Sequence, residues 1–430
     1  MRLLNGLKDI FDVFVIELRR IAADKGVILI FFIATLLYPL IFGAIYKKEC
    51  VRDVPVAVVD ESRSDASRRF ARKLDATPEL DVRYRPASMA EAEQLMQQRR
   101  INGIVYFPKD YGTDLADRRQ AHVALFCDMS SFLYYRSVFS GASAVLLDEM
   151  EFVQTERYAA QGVTGEAVEE QLSPIPFDDV KLYTPSAGFE SFLVPGLLVL
   201  VIHQTLFLGI GILSGTTRED RKTLEMIPRR LRHKSIYRVT LGRALTYLLI
   251  YMPVVAVVLF TIPKLFGLPH IGQTGELILF LLPFMLATIF FCMTAAAFIH
   301  HRDSGILCFF FLSIILVFLS GIVWPQSNMP DFWRHFSYLF PSTHGMQGFV
   351  RINSMGATLK DVSFEYHMLW ILTGAYFITT GVLTYLENYR QLKRGELLRH
   401  IRLQRALRSN TPHKRHHLRA ADKVDEAAQQ

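Results

Sequence analysis

The stretch FLVPGLLVLVIHQTLFLGIGIL, residues 192–213, decides the fold, because it runs for 22 residues without a charged side chain. A helix that rises 1.5 Å per residue crosses the ~30 Å hydrocarbon core of a bilayer with about 20 such residues. Five further stretches of the 430-residue chain are mostly apolar over a similar length. The sequence therefore predicts six transmembrane helices, at residues 27–46, 189–213, 239–262, 277–299, 306–323 and 367–386.

The composition agrees with a membrane protein, since 51% of the residues are hydrophobic and 21% are charged. These values exclude a disordered chain, a collagen and a small disulfide scaffold. The net charge of +7 alone would suit nucleic acid, but the basic residues flank the apolar runs, which favours a membrane. No aromatic reading surface accompanies the basic tail, so no nucleic-acid partner is predicted. A bridge between Cys50 and Cys127 stays open, because connectivity cannot be read from sequence.

The basic residues also predict the orientation of the chain. Residues 1–26, the 214–238 loop, the 300–305 turn and the tail after residue 386 together hold 25 Lys and Arg, and the opposite short loops hold four. Loops rich in Lys and Arg stay in the cytoplasm. We therefore expect a multi-pass protein of the cell inner membrane with both termini in the cytoplasm.

The segment 47–188 is long enough to fold on its own. Short apolar runs that begin near residues 54, 80, 101 and 122 alternate with helical stretches, which predicts an α/β domain with largely parallel strands. The long helical segment 132–161 is either a stalk or substrate-guiding helix pair, or a cover for one face of the sheet. The fold class is therefore a polytopic α-helical membrane protein, six transmembrane helices with an inserted α/β extracytoplasmic domain.

Enzyme motifs are missing from the sequence. No Gly-Lys pair occurs, so the chain lacks the G-x-x-x-x-G-K-[ST] loop that binds ATP, and H-E-x-x-H, C-x-x-C and G-x-S-x-G are also missing. We expect no catalytic residue, no metal site and no cofactor on this chain. The His300–His301 pair and the tail histidines lie among basic residues at a membrane edge, which favours solvated positions over metal ligands.

The interiors of the six predicted spans contain no Asp or Glu, which disfavours an ion-driven carrier. His203, followed by Gln204, is the ionisable residue nearest to mid-depth. It is either a contact on a translocation path or across a dimer seam, or the partner in an interhelical hydrogen bond that fixes packing. Arg243 lies about a turn inside the third span, from where it is expected to extend to the cytoplasmic surface.

The 214–238 loop, SGTTREDRKTLEMIPRRLRHKSIYR, is where a soluble partner would dock. A short charged helix over residues 217–226 is expected to enter a groove on that partner, with Leu224 and Ile227 as apolar anchors. The alternative is an ordinary basic loop without a dedicated partner.

Three motifs resemble the permease subunits of ABC-2 type exporters, in the branch with a large external domain after the first helix. The coupling-helix pattern of that family matches Arg218, Glu219, Thr223, Leu224, Glu225, Met226 and Ile227, although Lys222 stands where the family has glycine. The amphipathic connecting helix of the family matches a segment with Glu17, Arg19, Asp24 and Lys25. The last motif matches Ser320, Gly321, Pro325, Met329, Pro330, Trp333, Pro341 and His344.

The resemblance implies a half-transporter that pairs, as a homodimer or a heterodimer, with a homologous permease and binds separate ABC ATPase subunits holding ATP and Mg. A periplasmic adaptor and membrane lipid are further candidate partners. The candidate residues of the translocation path are His203, Gln204, Trp333, Pro341 and His344. The rival function is a membrane-anchored periplasmic sensor or envelope assembly factor, and a secondary carrier comes third.

This interpretation divides the chain into segments with expected roles. Their order along the chain is a connecting helix at 1–26, a first span at 27–46, a periplasmic α/β domain at 47–188, a five-helix region at 189–386 with a coupling helix at 217–232 and a re-entrant or interfacial segment at 325–345, and a basic tail at 387–430 that lies on lipid headgroups.

Overall fold

The computed structural model describes residues 2–47, 50–163, 168, 172, 180, 182–183, 188–220, 231 and 236–409, with side chains omitted for residues 2–5 and 394–409. The chain forms two compact units. One contains residues 46–190, and the other contains residues 1–45 and 191–430.

The second unit is helical. Within the described residues it holds an N-terminal helix, six helices that are long and apolar enough to cross a membrane, and two further helices between the fifth and sixth spans. In chain order these helices are α1 (Arg2–Ala23), α2 (Lys25–Tyr46), α7 (Phe189–Glu219), α8 (Ile236–Phe266), α9 (Thr274–Ala296), α10 (Arg302–Leu319), α11 (Asp331–Ser337), α12 (Pro341–Met355) and α13 (Ser363–Ser409). The labels α3–α6 belong to the first unit.

The six helices confirm the predicted polytopic fold. Five of them begin and end within about two turns of the predicted bounds, whereas α13 continues to Ser409, 23 residues past the predicted end of the sixth span. The fifth helix ends at Leu319 rather than at residue 323, because the chain reverses at Gly321, whose φ of +83° suits glycine. The second span continues past the apolar run to Glu219, so the polar residues Thr216 and Thr217 are still helical. Hydropathy alone does not detect such extensions, since a helix needs no apolar residue in its last turn.

Close packing of three spans is set by one aromatic side chain. Phe31 of α2 is fully buried and makes edge-to-face contacts with Tyr247 and Tyr251 of α8. Gly209 of α7 leaves the space for this ring, since a Cβ at this position would overlap the ring of Phe31. A glycine at a helix contact lets two helices approach closely in lipid, where van der Waals packing drives their association.

The first unit is an α/β layer with a four-stranded sheet in the order β2-β1-β3-β4. β1 pairs in parallel with β2 and with β3, whereas β4 pairs antiparallel with β3. The elements are β1 (Val54–Asp60), α3 (Asp65–Asp75), β2 (Leu80–Tyr84), α4 (Met89–Gln97), β3 (Gly103–Phe107), α5 (Tyr111–Ala116), β4 (Ala124–Cys127) and α6 (Phe132–Ala159). The predicted alternation is present, with an antiparallel edge strand that short apolar runs do not reveal.

Helix α6 covers one face of the sheet, which was one of the two interpretations of this segment. Val138, Ala142 and Val145 are buried in one core with Val56 and Phe70. Ion pairs from Arg69 (2.6 Å) and Lys73 (2.9 Å) of α3 to the buried Glu149 of α6 hold the two helices together. No disulfide bond joins Cys50 and Cys127.

Candidate coupling site at one end of the helical bundle

Helix α1 lies against the start of α8. Val13 of α1 is buried with Val239 of α8 and with Leu231, which belongs to the predicted coupling segment. The helices approach closely at Gly242, where a Cβ would lie 2.7 Å from the Cβ of Val13 and 2.8 Å from the carbonyl oxygen of Ile10. The predicted connecting helix and the end of the 221–235 loop therefore share one small core.

Glu17 is the centre of a buried polar cluster between α1 and α8. Its carboxylate lies 2.8 Å from Arg20, 3.2 Å from Arg243 and 2.5 Å from the hydroxyl of Tyr247, and its side chain is 1% exposed. Arg20 also donates to the hydroxyl of Thr217 near the end of α7. One carboxylate thus joins three helices.

The charges around Glu17 determine its protonation. Burial alone would raise the pKa of this carboxyl, but the positive charges of Arg243 and Arg20 and the hydrogen bond from Tyr247 outweigh burial and lower the pKa to about 2. Glu17 is therefore ionised at every physiological pH. A buried pair of this kind is strongly destabilised when one partner is removed, because an uncompensated charge remains.

Arg243 corrects one expectation from the sequence. Its side chain does not extend to the surface, because it is 16% exposed and is bound by Glu17. The sequence spacing could not reveal this partner, which lies 226 residues away in α1.

Asp24 connects the junction of α1 and α2 to α10. Its carboxylate accepts hydrogen bonds from the backbone N–H groups of Gly26 and Val27, which caps α2, and it pairs with Arg302 at 3.1 Å. The backbone N–H of Arg302 in turn donates to Glu219, at the end of α7, over 3.3 Å.

Arg218 binds the last helix and the end of α9. It forms two hydrogen bonds with the carboxylate of Glu387 in α13, at 2.7 and 2.8 Å, and donates to the backbone carbonyl oxygens of Ala296 and Ile299. A bidentate arginine–carboxylate pair fixes direction as well as distance. Arg238, just after the loop, is held by Asp9 of α1 at 2.8 Å.

The arrangement therefore anchors both ends of the 221–235 loop. The preceding end, at Arg218 and Glu219, is bound to α13 and α10, and the following end, at Leu231 and Arg238, is bound to α1. These contacts join the two ends of the loop to three other helices, α1, α10 and α13. Interfaces of this kind move as rigid bodies rather than by gradual deformation.

The structure places the predicted coupling residues in two groups. Arg218 and Glu219 lie in the network, whereas Thr223, Leu224, Glu225, Met226 and Ile227 lie outside the described residues. Of the connecting-helix residues, Glu17 and Asp24 belong to the network, and Arg19 and Lys25 are exposed. Sequence reasoning missed Tyr247, Arg302 and Glu387. Arg302 and Glu387 lie at span ends, which was their only signal, and Tyr247 lies inside a span without any.

The candidate path residues lie elsewhere in the bundle. His203 is completely buried, and neither of its ring nitrogens has a hydrogen-bond partner among the described residues. The interhelical hydrogen bond is instead made by Gln204, which donates to the carbonyl oxygen of Ser313 in α10 over 3.3 Å. The interhelical hydrogen bond at this depth is therefore made by Gln204 and not by His203.

A row of aromatic rings connects His203 with the 325–345 segment. The ring of His203 lies 5.3 Å from Phe291, which lies 5.8 Å from Phe340, the residue before α12. The row continues through Phe336 to Trp333 in α11.

The three remaining candidates of this segment have different surroundings. Trp333 is half-exposed and lines an apolar cleft of about 370 Å³ with Trp324 and Phe318. Pro341 and His344 are buried at the start of α12, and Nε2 of His344 lies 3.2 Å from the carbonyl oxygen of Tyr338. Pro341 therefore follows directly on the aromatic row, whereas His344 contacts Tyr338.

The likeness of the chain to known proteins and the placement of its candidate metal ligands both bear on function. In the part of the chain that the structure describes, no three His, Cys, Asp or Glu side chains cluster so as to hold a metal ion. A family model described as an ABC-2 family transporter protein matches residues 25–383. No curated protein matches the chain.

Proposed function

The chain belongs to the ABC-2 transporter family and is a permease subunit, and from this premise we propose that it works as half of an ATP-driven exporter. The matched residues contain the coupling-helix motif and the motif of residues 320–344, whereas of the connecting-helix residues they contain only Lys25. Membership implies a partner ATPase subunit, and the absence of any Gly-Lys pair agrees with nucleotide being bound by that partner.

The observation that carries the proposal is the double anchoring of the 221–235 loop. The two ends of this loop are fixed by ion pairs to α1 and α13 and by a hydrogen bond from the backbone of α10, so the loop is suited to transmit the movement of a docked subunit into the bundle. An ordinary basic loop needs no such contacts. We propose that an ATPase subunit docks on this loop and that Leu224 and Ile227 are its apolar anchors.

The same network supports the proposed orientation. The contacts of α1, Arg218, Ile299, Arg302 and Glu387 bring together the basic flanks that the sequence assigned to one side. Because basic flanks stay in the cytoplasm, we propose that this end of the bundle and both termini are cytoplasmic and that the unit of residues 46–190 lies in the periplasm.

The proposed substrate is a drug-like, lipidic or other amphiphilic molecule. The apolar cleft at Trp333 supports this class, since it offers apolar contact area and few hydrogen bonds. A hydrophilic cargo would need polar partners along its way.

Purification of a tagged chain in mild detergent, followed by mass spectrometry, tests the proposal. We expect an ATPase subunit carrying the G-x-x-x-x-G-K-[ST] loop to co-purify, and the Leu224→Asp variant to lose it or to lose the coupling between hydrolysis and export. The control is Leu359→Asp, the same substitution in the segment between α12 and α13, which should still co-purify with the ATPase. Recovery of no ATPase from membranes that contain the active protein would refute the proposal.

Deletion of residues 50–185 discriminates the rival function. A periplasmic sensor or assembly factor would lose all activity, whereas the permease would keep its contact with the ATPase. Retained co-purification of the ATPase therefore favours the permease.

A further inference from the structure

Helix α6 has an apolar face that is exposed among the residues that the structure describes. Phe132, Phe139, Leu146 and Met150 are 62%, 52%, 38% and 48% exposed and follow one another at spacings of seven, seven and four residues. Such spacings place all four on one stripe of a helix with 3.6 residues per turn. Leu147 borders the stripe and is also exposed.

The opposite side of α6 packs against the sheet of the same unit, so the apolar stripe faces away from that sheet. Val138, Gly141, Ala142 and Val145 are buried against the sheet, and Glu149 is held by Arg69. The five outward side chains expose on the order of 500 Å² of apolar surface, taking ~200 Å² for each large side chain when fully exposed. That area is at the upper end of the largest patch on a typical monomer, and patches of this size mark interaction sites.

The stripe is self-complementary about Ser143. Phe139 and Leu146 lie at nearly equal distances on either side of this small, half-buried residue. Two copies that cross antiparallel at Ser143 would place Phe139 of each against Leu146 of the other. A two-fold contact of this type uses the same patch on both copies.

The charges beside the stripe favour the same pairing. Arg136 lies on one flank in the first half of α6, and the exposed Glu151 lies near the same flank four turns later. An antiparallel two-fold pair brings equal flanks together and therefore brings Arg136 of one copy near Glu151 of the other. A parallel pair in register would separate these two charges.

We propose that α6 forms a two-fold, antiparallel contact between the α/β units of two copies of this chain. The inference rests on the proposed function, which requires two permeases, and adds that these are identical and meet outside the membrane. About 500 Å² per copy is less than the ~800 Å² of a standard interface. The α6 contact therefore acts together with the contact between the membrane parts.

Cysteine cross-linking in cell membranes tests the contact in the full-length chain. In a chain whose native cysteines Cys50, Cys127, Cys292 and Cys308 are replaced, we expect a short bis-maleimide to dimerise the Ser143→Cys variant. The Ala144→Cys variant is a matched control, because its side chain is exposed but lies 100° around the helix axis from that of Ser143. It should give no dimer.

Phe132→Cys discriminates the direction of the two helices. Phe132 and Ser143 are eleven positions apart, or about 16.5 Å along the helix. The two Phe132 side chains of an antiparallel pair are therefore about 33 Å apart, beyond the reach of the reagent. A dimer of Phe132→Cys would therefore overturn the antiparallel contact. Adding Phe139→Asp to the Ser143→Cys chain should abolish its dimer.

Co-purification of two differently tagged copies separates this inference from the proposed function. If tagged copies associate and bind the ATPase but Ser143→Cys gives no dimer, the α6 contact is refuted and the permease proposal stands. Cross-linking of Ser143→Cys to a different protein would likewise refute the second copy as occupant. If no second permease of any kind accompanies the chain, the proposed function itself fails.

Discussion

Replacement of Glu17 by Gln removes the charge at the centre of the coupling site and keeps its shape. The variant leaves Arg20 and Arg243 without their shared counter-ion. Loss of one partner from a buried pair costs about 3–5 kcal/mol. The shift of the Glu17 pKa from 4.5 to about 2 independently corresponds to ~3 kcal/mol of stabilisation by the ionised form. We take the lower end, since the arginines are 21% and 16% exposed.

A loss of about 3 kcal/mol should lower the apparent melting temperature in detergent by roughly 6 °C, at ~2 °C per kcal/mol for a unit of this size. Arg19→Gln is the matched control, because Arg19 lies on the exposed side of the same helix, and its melting temperature should stay within 1 °C of the wild type. Glu17→Gln combined with Arg243→Gln should cost less than the sum of the single variants, since the second change removes the charge that the first left unpaired.

The effect has a defined pH dependence. The folded-state pKa of Glu17 lies below its ordinary value, so its stabilisation is complete above pH 4.5 and is lost as the pH falls to about 2. The difference in melting temperature between wild type and Glu17→Gln should shrink in that window. Equal melting temperatures at pH 7, or strictly additive variants, would refute the assigned role of Glu17.

Three further outcomes follow from the packing. Gly242→Ala should separate α1 from α8 and lower the melting temperature by several degrees, because the new Cβ would lie 2.7 Å from Val13. The control Gly275→Ala has open space at its Cβ and should be tolerated. Equal melting curves of the two variants would contradict the close approach of α1 and α8. Arg218→Gln should reduce transport per ATP hydrolysed in proteoliposomes, because it breaks the pair with Glu387. Arg218→Lys keeps the charge without the bidentate bond and should give an intermediate value. A Gln variant as active as the wild type would contradict the role of this pair. His203→Phe should leave thermal stability unchanged or raise it, because a buried imidazole without hydrogen bonds costs about 1–3 kcal/mol; a fall of several degrees would show that His203 has a partner.

The membrane topology and the alternation of strands and helices follow from local patterns, and the sequence therefore predicts them. The 22-residue apolar run and the Ser88 cap of α4, whose hydroxyl accepts from the Glu91 N–H, are properties of neighbouring residues. The antiparallel edge strand β4 depends on pairing across the sheet with β3. No periodicity within residues 124–127 contains that information.

The coupling site shows the same limit more clearly. The resemblance singled out Glu17, Asp24 and Arg218, which form ion pairs, and Glu219, which accepts a hydrogen bond from the backbone of Arg302. Their partners Arg243, Arg302 and Glu387 are up to 278 residues distant, so no local pattern connects them. Arg243 was expected at the surface because a single span, considered alone, offers it no counter-ion. The sequence predicts the helix that supplies the counter-ion, α1, but not its packing against α8.

The central claim is that this permease moves its cargo only when a separate ATPase acts on the 221–235 loop. The most direct measurement is cargo movement in proteoliposomes, with the purified chain alone under a proton or sodium gradient and then with the co-purified ATPase and ATP. The account predicts no movement in the first case, movement in the second, and its loss in Leu224→Asp while ATP is still hydrolysed. Gradient-driven movement by the chain alone would contradict it.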